Sequence, residues 1–217
     1  MIAPGAQASA WDLPTRLFHW ALTVLVVFSY VTGKLGGEWM TWHMRSGYTI
    51  LALIGFRLAW GFVGPAPARF ASFLRGPATT LAYLRTLRAG NRPAPAGHNP
   101  LGGWNVVLML ALLLLQAGTG LFSNDESAHE GPLAAKVSDA MVDRMSAIHG
   151  WVQLVLVVVV ALHVAAVLFY QLGLRIDVLR SMVGGAPTAP RTVALAAAFA
   201  AASAAVVYWL VVLYPKP

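Results

Sequence analysis

The chain has 217 residues, of which 58% are hydrophobic and only 11% charged, with a net charge of +7 and a mean hydropathy of +0.66. A soluble domain carries about a quarter charged residues, so this composition excludes an ordinary globular enzyme, a disordered chain and a fibrous protein, and indicates a polytopic helical membrane protein. The absence of cysteine excludes disulfide scaffolds, thiolate-held iron–sulfur clusters, Cys-type zinc sites and thioether-attached haem.

Five long, apolar stretches are predicted to cross the bilayer as helices, at about residues 17–33, 43–63, 102–122, 148–172 and 191–214. The first is preceded by Asp12 and Arg16 rather than a basic cluster and lacks a small-residue cleavage site, so it reads as a retained helix. After the second span, residues 77–89 place Leu81, Leu84 and Leu87 along one side, as expected of a helix lying in the membrane interface with its Arg residues toward headgroups. Between the third and fourth spans, Leu133, Val137, Met141 and Met145 recur at a spacing of four, which predicts a short surface helix over 132–145. The fifth span is rich in alanine, with AAAFAAASAA at 196–205.

Basic residues concentrate on one side. The connection 64–101 holds Arg69, Arg75, Arg85, Arg88 and Arg92 without an acid, and 173–190 adds Arg175 and Arg180 against Asp177. Residues 123–147 instead carry Asp125, Glu126, Glu130, Asp139 and Asp143 against Lys136 and Arg144. Positive loops remain cytoplasmic, which puts the N-terminus inside and the C-terminus outside. The basic excess is thereby explained by topology, with no nucleic acid needed.

Ionisable groups within a membrane are costly and mark functional sites. The five spans contain no Asp or Glu, which argues against a carboxylate-based proton pump or cation-coupled transporter. They do contain His19, His43, His149 and His163, with His98 and His129 in the connections. His149 and His163 are 14 positions apart on one span, leaving their side chains about 40° apart around the helix and about 21 Å apart along it. The alternating direction of the spans then matches His43 with His149 near the outer side, and His19 with His163 near the inner side. Two imidazoles at one depth, on facing helices, are what a six-coordinate haem iron requires. A zinc or copper cage fits less well, because its ligands converge at one depth and these are split between two.

Gly47, one turn from His43, leaves the helix surface bare for a flat macrocycle; Gly102, Gly103, Gly118, Gly120 and Gly150 serve either that purpose or close helix packing. Arg57 lies 14 residues beyond His43 on nearly the same face, where it either neutralises a haem propionate or reaches to headgroups.

Taken in order, WDLPTRLFHW at 11–20, WHMRSGY at 42–48, FRLAWGFVG at 56–64, HNPLGGW at 98–104, QAGTGL at 116–121 and the two histidines of the fourth span resemble the bacterial cytochrome b-561 family, which includes the cytochrome b subunit of nickel–iron hydrogenase. The resemblance covers about residues 11–180. It implies an all-α architecture: a four-helix bundle (residues 1–180) holding two b haems through His19, His43, His149 and His163, with 181–217 adding a fifth transmembrane helix. It also implies electron transfer in the bacterial inner membrane between the quinone pool and a periplasmic redox partner such as a cytochrome c, with donors for a quinone carbonyl in His98, Asn99 and Arg57 on the inner side or Arg45 and Trp42 on the outer. Two alternatives are a superoxide oxidase passing electrons to quinone, with Lys34 or Arg45 beside the outer haem, and the membrane anchor of a hydrogenase or dehydrogenase. The acidic outer connection is either a solvated loop or a face for a basic cytochrome.

Overall fold

Five helices in the computed structural model are long and apolar enough to cross a bilayer, in agreement with the five predicted spans. Residues 11–89, 99–125, 128–175, 177–184 and 187–215 are described. Among them the fold is all-α, and the nearest thing to a strand is one antiparallel bridge between Asn124 and Glu130.

Helix α1 (Leu13–Leu35) has Pro14 in its first turn, where a missing N–H costs nothing. It stops at Gly36 and Gly37, whose φ values of 63° and 52° suit residues without a Cβ, and the chain reverses into α2 (Trp39–Val63). A single 3₁₀ turn at Ala66–Ala68 and a short α3 (Phe70–Phe73) then lead to α4 (Pro77–Arg88), which occupies the segment expected of the interfacial helix. Helix α5 (Pro100–Gly120) is capped by Asn99, whose Oδ1 accepts from the Gly102 N–H at 2.7 Å. Helix α6 (Asp139–Leu168) continues through a π turn at Phe169–Gly173; after a short α7 (Arg180–Val183), α8 (Pro190–Tyr208) likewise ends in a π turn at Trp209–Leu213.

The separate surface helix expected over 132–145 does not form. Ala134–Lys136 makes one 3₁₀ turn, Val137 and Ser138 are extended, and Asp139 begins α6 itself. No Gly or Pro lies between Asp139 and His149, so nothing ends the helix before the membrane segment. Met141 and Met145 are therefore on the first turns of the fourth span.

Helix α1 packs along α2, α2 against α5 and α8, and α5 against α6. Among the described residues α6 makes at most marginal backbone contact with α1 and α2. Many apolar side chains, such as Val24, Trp151 and Leu162, are exposed on the long helices, as lipid-facing residues are. The core lies between the helices in two clusters. Ile50, Ile54, Leu113, Val152 and Leu156 form one; Phe18, Phe56, Trp60, Leu110 and Ala196 form the other.

Trp60 is fully buried, stacked on Phe56 at 5.8 Å, and its Nε1–H donates to Asp12 at 2.9 Å. Thr15 donates to the other Asp12 oxygen at 2.6 Å, so the buried carboxylate has partners from α1 and α2. A hydrogen bond to a charged group contributes about 1.5–3 kcal/mol. Trp60→Phe keeps most of the packing but orphans that oxygen, and is expected to lower stability by about this amount, as a reduced thermal midpoint in detergent.

The fifth span flanks the bundle. Ser203 of α8 donates to the Ala52 carbonyl of α2 at 2.7 Å, and the close approach is possible because Gly55 has no Cβ to meet the Ser203 hydroxyl. Three bonds tie the α6–α8 connection to the start of α1: Leu13 N–H to Thr188 Oγ1 (2.9 Å), Arg16 to the Val183 carbonyl (3.0 Å) and Trp20 to the Met182 carbonyl (3.1 Å). In the acidic connection, Asp125 folds the loop on itself by accepting from the Ala128 and His129 N–H groups and from His129 Nδ1 at 3.1 Å. Glu126 lies outside the described residues.

Candidate functional site

His43 of α2 and His149 of α6 face each other near the acidic end of the bundle, with ring centroids 6.0 Å apart and planes at 85°. An imidazole nitrogen binds a metal at about 2 Å, and the ring centre lies about an ångström behind it, so two rings trans on one metal have centres about 6 Å apart. Each ring can rotate about its metal–nitrogen axis, so perpendicular planes are compatible with such a pair.

The outer-shell contacts fix which nitrogen is available. The Nδ1–H of His43 donates to the Ser29 carbonyl at 2.8 Å, and that of His149 donates to the Gln116 carbonyl at 2.9 Å. Ser29 Oγ and Thr119 Oγ1 lie 3.3 Å from the same two nitrogens. A proton held on Nδ1 leaves Nε2 as the metal-binding atom in both rings. The Gln116 amide donates to Nε2 of His149 at 3.0 Å, so a metal there requires that amide to turn aside.

Glycine positions shape this end. A Cβ on Gly33 would lie 2.7 Å from Nδ1 of His43, and one on Gly120 would lie 3.1 Å from Cε1 of His149. Gly47 and Gly118 instead look onto open space, with nothing within 4 Å of a Cβ. Gly47 thus leaves a gap beside His43, as a flat macrocycle needs.

At the basic end, His19 of α1 and His163 of α6 are within electrostatic reach of one another. Trp20 lies edge-on to His19 at 5.2 Å, and His19 Nδ1 is buried with no partner among the described residues. His163 Nδ1 faces the Asn105 amide at 3.4 Å, and that amide also reaches Met109 Sδ at 3.3 Å. Among the described residues no three of His, Cys, Asp and Glu converge as a metal cage would need.

Arg57 is 3% exposed, with its guanidinium 4.8 Å from the Phe70 ring centre and near enough to Asp12 to feel its charge. Burial excludes the headgroup-reaching alternative, and Nη1 has no partner among the described residues, leaving a donor for an anionic group.

Of the inner quinone candidates, His98 lies outside the described residues. Asn99 donates from Nδ2 to the Tyr170 hydroxyl at 3.1 Å, and Tyr83 meets that hydroxyl at 3.3 Å. Burial, and then the bond to Tyr170, push the Tyr83 hydroxyl up to about 12, so it remains a protonated donor at neutral pH. At the acidic end, Arg45 lies 5.2 Å over Trp42, and Lys34 reaches Gln153 at 3.4 Å.

Sequence reasoning did not find Ser29, Gly33, Asn105, Gln116, Thr119 or Tyr170 as neighbours of these sites. Polar side chains at Ser29, Asn105 and Gln116 within otherwise apolar spans were the available signal.

The family model described as prokaryotic cytochrome b561 matches residues 10–185, taking in α1 to α7 and all four histidines and leaving α8 outside. No curated protein and no solved structure matches the chain.

Proposed function

The chain belongs to the prokaryotic cytochrome b561 family of membrane electron-transfer proteins, and from that premise we propose that it holds two b haems, one between His43 and His149 and one between His19 and His163. The observation that carries this reading is the 6.0 Å separation of the His43 and His149 rings, each anchored through Nδ1. The sparse backbone contact between α6 and the α1–α2 pair and the open side of α2 at Gly47, one turn from His43, support this reading.

When bound, haem supplies reversible one-electron chemistry. The protein's part is to position it and set its electrostatics. A haem held by a histidine on each face would have no open coordination position for oxygen and would be directed to electron transfer. The unpartnered Nη1 of Arg57 is available to a propionate at the basic end. The positive-inside rule puts that end in the cytoplasm and the acidic end in the periplasm.

Electrons thereby pass between quinone and a periplasmic redox protein such as a cytochrome c. The protonated Tyr83 hydroxyl, with Tyr170 and Asn99, supplies donors for a quinone carbonyl at the inner end. A second reading, oxidation of a small anion such as superoxide at the outer face, is favoured by the exposed cations Lys34 and Arg45 at that end. Steady-state quinone reduction by the isolated protein, with no protein partner added, distinguishes it.

Purified protein is expected to contain two haem b groups per chain, measured as a reduced b-type spectrum against protein concentration. One haem per chain, or none, would overturn the paired reading.

A further inference from the structure

Helix α4 is 12 residues long, and a helix of that length is marginal in water on its own. Its backbone neighbours α5, yet most of its side chains are uncovered. Ala82, Arg85, Thr86 and Arg88 are exposed, as are Leu81 at 50% and Leu84 at 37%. Among the described residues Tyr83 is the one α4 side chain that hydrogen-bonds another helix, through the 3.3 Å contact of its hydroxyl with that of Tyr170. One long hydroxyl bond is a weak tether for a marginal helix, so α4 needs a surface outside the bundle.

The helical register says which side meets that surface. At about 100° per residue, Tyr83 lies about 200° around α4 from both Leu81 and Arg85. Leu81 is followed one turn later by Arg85, and Leu84 by Arg88. The face turned away from the Tyr83 tether is therefore two exposed leucines beside two exposed arginines.

Trp104 sets the level at which this face lies. Its indole N–H donates to the Arg75 carbonyl at 3.0 Å, two residues before α4 begins, and its ring is 45% exposed near the start of a membrane-crossing helix. A tryptophan so placed sits at headgroup depth. Arg69, Arg75, Arg85 and Arg88 are all exposed on this segment, and 64–101 contains no acid to pair with them. Leucines at the acyl boundary with unneutralised arginines beside them complement a negatively charged leaflet.

We infer that α4 seats on anionic phospholipid, with Leu81 and Leu84 at the acyl boundary and Arg75, Arg85 and Arg88 on headgroup phosphates, and that this seat holds the Tyr83 hydroxyl against Tyr170. A zwitterionic lipid offsets the attraction with its own cation. The quinone role of Tyr83, Tyr170 and Asn99 rests on the reading above; under it, the charge of the leaflet sets how firmly a quinone carbonyl is held.

The chain lacks cysteine, so Ala82→Cys, on the exposed side of α4 away from Leu84, takes a single nitroxide label. Spin resonance of the labelled full chain in nanodiscs is expected to show an immobilised label when phosphatidylglycerol is present and a mobile one in phosphatidylcholine alone. Adding Arg85→Gln and Arg88→Gln should raise the phosphatidylglycerol needed for the same ordering by about twentyfold, at about fivefold per arginine. Quinone titrated into the same discs should bind more tightly with phosphatidylglycerol, and Tyr83→Phe should abolish that gain. A label equally mobile in both lipids would overturn the inference and leave this face to a protein partner. Ordering that survives loss of both arginines, or that inorganic phosphate produces in phosphatidylcholine discs, would overturn it as well. If quinone binds in neither lipid, the donor reading of Tyr83 fails, while the label still decides the lipid seat.

Discussion

Replacing His43 with alanine is expected to remove one of the two proposed haems and leave the other, and His149→Ala is expected to remove that same one. The two side chains come from helices 106 positions apart in sequence, yet their rings meet at 6.0 Å. Losing either would leave the proposed haem with a single histidine of this pair to hold it. The measurement is haem content together with the reduced spectrum, which should fall to about half of the wild-type absorbance per chain. The His43→Ala/His149→Ala double variant should look like either single variant, because the second removal has nothing further to take. A double variant that loses both haems would show that the two histidines serve different sites.

Gly33→Val should produce nearly the same loss without touching a ligand. A Cβ at this position lies 2.7 Å from Nδ1 and 3.0 Å from Cε1 of His43, closer than nonbonded atoms tolerate. The ring must therefore leave its place, breaking its bond to the Ser29 carbonyl one turn earlier on α1. The expected outcome is a chain that inserts and folds but retains chiefly the inner haem. Full haem content at wild-type spectrum would mean that the His43 ring has freedom to move that this packing denies it.

Much of the architecture could be read from the sequence, because the bilayer imposes so strict a rule on composition. A helix crossing hydrocarbon must be long and apolar, and all five spans were found, although the fourth helix begins at Asp139, well before the expected 148. Pro77 and the leucines after it located α4 for a similar reason. The error over 132–145 came from the periodicity itself. A helical repeat says that a helix is present but not where it stops, and with no breaker before His149 the repeat continued into the fourth span.

The pairing of His43 with His149 was legible because helix rise and alternating direction fix depth along the membrane. What surrounds them was not. The acceptors for both Nδ1 atoms are backbone carbonyls, of Ser29 and Gln116, and every residue has a carbonyl. Gly33 carried no mark distinguishing it from glycines that serve helix contact alone. Arg57 was open between two roles, and only its burial beneath Phe70 decided against the headgroup one.

The bonds from Leu13, Arg16 and Trp20 to residues 182–188 bear on how the molecule is made. The first helix leaves the ribosome early, but the groups that bond to its N-terminal end are synthesised 162 to 175 residues later. In order of synthesis, the N-terminal end of the first helix is thus secured only by the segment that follows the fourth span.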